Sequence, residues 1–159
     1  MTSIKYRSLF IGILIFCLLA LFFAYFVEYI LKHIPCNLCL IERIPYIATI
    51  VLVFLVLFFK KYEKLILIII GLFFTFGTVI SFYHFGIEQE FFTESSVCDF
   101  GNSKTLSAQD LLKELKVKSV SCKDVTFRVF GLSLATFNTI TSLTISTIML
   151  RAGINYDKN

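Results

Sequence analysis

Five cysteines occur in this chain, and two of them stand as a C-x-x-C in the run Pro35-Cys36-Asn37-Leu38-Cys39. Redox dithiols and half-zinc sites share that spacing. The motif follows Pro35 at the head of an apolar run, where the unpaired N–H groups of a helix start favour a thiolate over a thiol. A thiolate is the species that attacks a disulfide or an electrophilic quinone. Arg43 lies four positions after Cys39 and seven after Cys36, so on one continuous helix all three share a face. A fixed cation there favours the thiolate and also the negative charge that develops on a quinone oxygen during reduction. The competing reading is an interfacial arginine reaching to lipid headgroups, and the place of Arg43 beside the C-x-x-C favours function.

Cys98 and Cys122 are twenty-four positions apart, whereas structural zinc usually draws on two knuckles of C-x2-C type. A zinc site of four cysteines is therefore disfavoured, and no resident metal is expected. Taken alone, Cys98 and Cys122 read as a plain structural disulfide, worth roughly 3 kcal/mol by loop length. A second dithiol on the same face of a small protein turns that reading toward an exchange chain. Cys17 is left over in the first apolar stretch and is read as a small buried hydrophobe. His84 is a candidate quinone donor or proton carrier, with an interfacial histidine satisfied by backbone or water as the equal alternative. Glu42 is read as an ion partner of Arg43 or as an acid facing headgroups, and neither Glu42 nor Glu88 is assigned a role.

The elements that position these residues follow from composition. Of 159 residues, 57% are hydrophobic and only 16% charged, with a mean hydropathy of +0.83, far too apolar for an ordinary soluble domain. Four stretches lack Asp, Glu, Lys and Arg: Ser8 to Val27, Ile44 to Phe59, Leu65 to Ile87 and Val129 to Leu150. They predict an all-α membrane protein, a single domain over 1–159 built as a four-transmembrane-helix bundle. The spans fall at about 8–30, 39–59, 64–86 and 129–150, the second extending outward through Cys36 to Ile41 and placing Glu42 and Arg43 near the membrane surface. Lys5 and Arg7, the turn Lys60-Lys61-Tyr62-Glu63-Lys64, and Arg151 are the basic flanks, so by the positive-inside rule both termini are cytoplasmic. Cys36, Cys39, Cys98 and Cys122 then lie on the outer side, where disulfides persist. The N-terminal apolar run is long and lacks an Ala-x-Ala site, which predicts an uncleaved anchor.

The long outer loop, about 87–128, carries one amphipathic piece, Ser107 to Lys118, with a capping Ser107 and Asp110 and a Leu111, Leu112, Leu115 stripe. It is expected to lie along the membrane surface or to cover the bundle mouth as a solvated helix. The fourth span is rich in Ser and Thr and includes Asn138, and these residues are expected to pack between helices without chemistry. Spread over the membrane flanks, the basic residues form no patch for nucleic acid, despite a net charge of +4.

The sequence resembles the disulfide-bond-formation protein B family of quinone-dependent thiol oxidases. The likeness rests on PCNLCLIER, YHFGIE, VCDF and SCKDVTFRVFGLSLATFN and covers nearly the whole chain. It implies a bacterial inner-membrane enzyme that oxidises a DsbA-like periplasmic thiol oxidase and passes the electrons to membrane quinone, ubiquinone in preference to menaquinone. Cys36 and Cys39 match the family's quinone-side pair, with Cys39 in contact with quinone. Cys98 and Cys122 match the loop pair, with Cys98 forming the mixed disulfide. Arg43 matches the quinone-side arginine, and His84 falls near the family's histidine. A strongly oxidising partner requires a final acceptor more oxidising still. The alternatives are a specialised relative serving one dedicated oxidase, and a non-enzymatic scaffold or small transporter subunit whose disulfides are static clips.

Overall fold

A computed structural model describes residues 2–59, 62–93, 98, 121–123, 128–129 and 132–156. The predicted amphipathic helix over Ser107 to Lys118 and most of the long loop lie outside the described residues. The elements in chain order are α1 (Thr2–Tyr29), α2 (Asn37–Ile41), α3 (Ile44–Phe58), α4 (Glu63–Glu88), the strands β1 (Arg128–Val129) and β2 (Leu132–Ser133), and α5 (Leu134–Ile154). The helices over Tyr6–Tyr29, Asn37–Phe58 and Glu63–Glu88 are long and apolar enough to cross a membrane. Their outward faces expose large apolar side chains such as Leu19, Phe22, Phe54 and Val79, the arrangement a bilayer solvates and water does not.

Inward, α1 contributes Tyr6, Phe10, Ile13 and Cys17, a stripe at helical spacing that meets Val53 and Val56 of α3 and Leu67, Ile70 and Phe74 of α4. Cys17 is fully buried there, as a structural residue should be. After α1 the chain turns sharply. Lys32 takes a left-handed φ of 56°, and the His33 N–H reaches back to the Val27 carbonyl at 3.3 Å, which sends Pro35 and Cys36 back over the bundle end.

The second span is not one continuous helix. Pro45, at the second position of α3, has no N–H for the Ile41 carbonyl, so α2 ends at Ile41 and Glu42 and Arg43 form a turn between two helical pieces. Arg43 therefore does not continue the helix that bears Cys36 and Cys39. The helix of the predicted fourth span also starts later than the charge-free stretch suggests. Val129 lies in a strand pair with Leu132, and α5 begins at Leu134, where the Ser133 hydroxyl accepts the Thr136 N–H.

Helix α5 packs along α4 through small residues. A methyl on Gly71 would meet Leu150 and one on Gly153 would meet Ile68, so the backbones approach closely at both points. Its outward threonines, Thr144 and Thr147, donate to their own i−4 carbonyls at 2.8 Å, leaving no hydroxyl proton unpaired toward an apolar surround. Ser, Thr, Asn138 and Arg151 keep α5 below the apolarity of the three candidate spans.

Candidate functional site

Cys36 is the N-cap of α2, with extended backbone, and its sulfur accepts the Cys39 N–H at 3.3 Å. One turn of helix from this cap brings Cys39 back over it, so the two sulfurs lie 2.7 Å apart, both unbridged. The last turn of α4 supplies the opposite wall. His84, Ile87 and Glu88 share one face by their three- and four-residue spacing, and His84 places Nε2 3.5 Å from the Cys36 sulfur. His84 is 4% exposed, so the reading of an interfacial, water-satisfied histidine does not hold.

Glu42 is also buried. Its Oε1 accepts from His84 Nδ1 at 2.8 Å and its Oε2 from Asn138 Nδ2 at 2.7 Å, while the Tyr46 hydroxyl donates to Asn138 Oδ1. The expectation that Glu42 pairs with Arg43 or faces headgroups is thus overturned. The α2–α3 turn points it inward, where two donors compensate the burial of its charge. Since a carboxylate only accepts, Nδ1 carries a proton and Nε2 is left to face the sulfur. The Cys36 thiol is accordingly held well below the ordinary thiol range. The hydrogen bond with Cys39 contributes most, burial opposes it, and the hydrogen bond and charge of His84 add to the lowering.

Cys98 and Cys122 are joined by a disulfide. Both are buried in one apolar cluster with Cys36, Leu38 and Ile87, against which Cys39, Ile41, Ile80 and Tyr83 pack. Two cysteine pairs, distant in sequence, thus meet at one end of the bundle. In this arrangement the loop pair is oxidised and the C-x-x-C pair is not.

A cavity of about 380 Å³ opens beside them. Aromatic and aliphatic side chains of α1, such as Phe16 and Leu21, line one side, and Cys39, Arg43 and Asn138 reach its polar edge. Arg43 is clamped from α1: its Nη1 donates to Glu28 at 2.6 Å, and its guanidinium lies 4.9 Å from the Tyr25 ring centroid. Arg43 and the cysteines border the same cavity although the single helix face predicted for them is broken.

Sequence reasoning missed three participants. Glu28 left a signal, since it is the charge that closes the first charge-free stretch. Asn138 left a weaker one, as the sole amide between Val129 and Leu150. The role of Glu42 left none, because its adjacency to Arg43 suggested the wrong partner.

Apolar helices exposing lipid-compatible faces, with two cysteine pairs at one end, define an integral membrane thiol–disulfide protein. The family model for disulfide bond formation protein DsbB matches residues 6–152, and the chain belongs to that family. An uncharacterized protein, RP370 of Rickettsia prowazekii (strain Madrid E), is 26% identical over 142 residues, covering 87% of this chain and 83% of the relative. No solved structure matches the chain. Family membership makes this an integral membrane protein of disulfide formation, a thiol–disulfide oxidoreductase.

Proposed function

We propose that the chain oxidises the dithiol of a DsbA-like, thioredoxin-fold partner and passes the electrons to a membrane quinone, ubiquinone before menaquinone. The observation that carries this reading is the burial of Cys36, Cys98 and Cys122 in one cluster while Cys39 borders the adjoining cavity. A relay needs two cysteine pairs packed together and an outlet facing a separate acceptor, and both features support the reading.

A partner thiolate attacks Cys98, and Cys122 leaves as thiolate. The partner's second thiol then displaces Cys98, so the partner is oxidised by two electrons and the loop pair is reduced. Exchange with the Cys36–Cys39 disulfide restores the Cys98–Cys122 bond and leaves Cys36 and Cys39 reduced, the arrangement described above. His84 takes the Cys36 proton at Nε2, oriented by Glu42, which Asn138 holds in turn. Arg43, restrained by Glu28 and Tyr25, presents positive charge at the cavity edge near Cys39.

The apolar walls and polar edge suit a planar ring with two carbonyl oxygens, and Cys39 and Arg43 are the residues that would hold it. When bound, a quinone supplies a two-electron, two-proton acceptor for the Cys36–Cys39 dithiol. The remaining parts of the proposal are four spans in the bacterial inner membrane, with α5 as the fourth, both termini cytoplasmic, and the cysteine end periplasmic.

Purified protein given a reduced dithiol partner and quinone should consume the quinone, followed by its absorbance. Cys39→Ser should abolish consumption, and Arg43→Ala should weaken quinone binding. A static scaffold would show no consumption in the wild type, and that outcome would sink the reading.

A further inference from the structure

The end of α4 and the C-x-x-C together place three potential metal ligands around one point, with the Glu88 carboxylate beside His84 as a fourth. Cys36 Sγ, Cys39 Sγ and a His84 ring nitrogen all lie within 4.8 Å of one another. In a tetrahedral zinc site, bonds of about 2.3 Å to sulfur and 2.0–2.2 Å to nitrogen and oxygen make the ligand–ligand edges about 3.3–3.8 Å. The Cys36 Sγ to His84 Nε2 distance is 3.5 Å and the His84 Nε2 to Glu88 Oε1 distance is 3.8 Å. The two sulfurs, 2.7 Å apart, have to separate, as a change of the Cys39 side-chain rotamer would allow, and the Glu88 carboxylate, which touches His84 but lies outside the three-ligand group, has to turn toward them.

Two further observations point to a ligand. Glu88, whose side chain is 6% exposed, has an Oε2 with no hydrogen-bond partner among the described residues, and a buried carboxylate oxygen in that state can take a cation or a donor. His84 gives its Nδ1–H to Glu42, the carboxylate–histidine arrangement that directs Nε2 toward a metal ion and fixes the ring. The four-cysteine site disfavoured from the sequence is a different donor set, since Cys98 and Cys122 are bonded to each other.

We propose that the reduced chain binds one divalent, thiophilic ion of the zinc class through Cys36, Cys39, His84 and Glu88, and that this ion holds the relay in its reduced state. Binding releases the protons the two thiols still carry and changes no oxidation state. Forming the Cys36–Cys39 disulfide sends two electrons to the quinone, withdraws both thiolates and frees the ion, so metal and disulfide exclude each other. The proposal rests on the proposed function in that Cys36 and Cys39 alternate between dithiol and disulfide with quinone as the oxidant.

The test uses detergent-purified chain carrying Cys98→Ser and Cys122→Ser, so that one dithiol pair remains. It is reduced with a phosphine, incubated with zinc chloride, freed of excess metal by gel filtration and analysed for zinc. The expected result is about one zinc per reduced chain and none after oxidation of the pair. His84→Ala, His84→Gln and Glu88→Gln should each weaken binding, on the order of 10-fold or more. Cobalt in place of zinc should give thiolate-to-metal absorption with tetrahedral d–d bands that change in the His84 variants. The proposal is overturned if the reduced chain retains no zinc, if the oxidised chain retains it, or if both His84 variants bind as tightly as the parent, which would mean plain dithiol chelation. Quinone consumption by wild-type protein, measured separately with a chelator present, reports on the oxidase reading alone.

Discussion

At the scale of single residues, the chemistry centres on Cys36. Its sulfur accepts the Cys39 N–H and faces His84, and these contacts favour the thiolate against the cost of burial. A lowered thiol value means the thiolate persists as the pH falls through the range where an ordinary thiol becomes protonated. Reduced protein should therefore alkylate at Cys36 nearly as fast at about pH 6 as at about pH 8, with the rate dropping only in more acid solution. His84→Ala should move that drop to higher pH, as peptide mapping of iodoacetamide-labelled Cys36 would record. Asn138 offers a second check, since it satisfies Glu42 and Tyr46 together. Asn138→Leu leaves buried polar groups unpaired and should cost about 1–3 kcal/mol, seen as a lower midpoint of thermal unfolding in detergent.

At the scale of elements, the site depends on two helix ends meeting. Pro45 interrupts the second span and turns Glu42 inward, while α4 ends in the face that bears His84 and Glu88. The position of α4 is set by its close packing against α5. At Gly71 an added methyl would stand 2.6 Å from Leu150 Cδ2 and 3.2 Å from the Leu150 backbone nitrogen. Gly71→Ala should thus destabilise the fold by about 1–3 kcal/mol through overpacking. Gly12→Ala is the control, because among the described residues nothing lies within 4 Å of the added atom. That change should be neutral, or stabilise by up to about 1 kcal/mol through helix propensity. Thermal unfolding of the two variants side by side distinguishes packing from a general intolerance of substitution.

At the scale of the whole molecule, the proposed relay needs a partner to reach Cys98 while Cys36 and Cys39 stay shielded. Cys98→Ser should prevent any covalent adduct with a dithiol partner, and Cys122→Ser should trap one that disappears on reduction in gel electrophoresis. An adduct formed through Cys36 instead would reverse the assigned order. The proposed orientation in the membrane makes a separate prediction. A membrane-impermeant label in intact cells should reach single cysteines introduced at Phe91 and not at Tyr62, because these residues follow and precede the same membrane-crossing helix.

The sequence by itself determined the apolar helices, the C-x-x-C at a helix start and the outlier among the cysteines, because hydropathy, helix periodicity and short motif spacing are local properties. Cys17 shows this well, since its place in the Tyr6, Phe10, Ile13 stripe already marks it as core. Tertiary structure decided the rest. Glu42 could take Arg43, its neighbour, or any partner across the bundle, and only the turn at Pro45 selects His84 and Asn138. Arg43 likewise finds Glu28 fifteen residues away. Buried charge must be compensated by whatever donors the packed helices bring within reach, and that choice is made in three dimensions rather than along the chain.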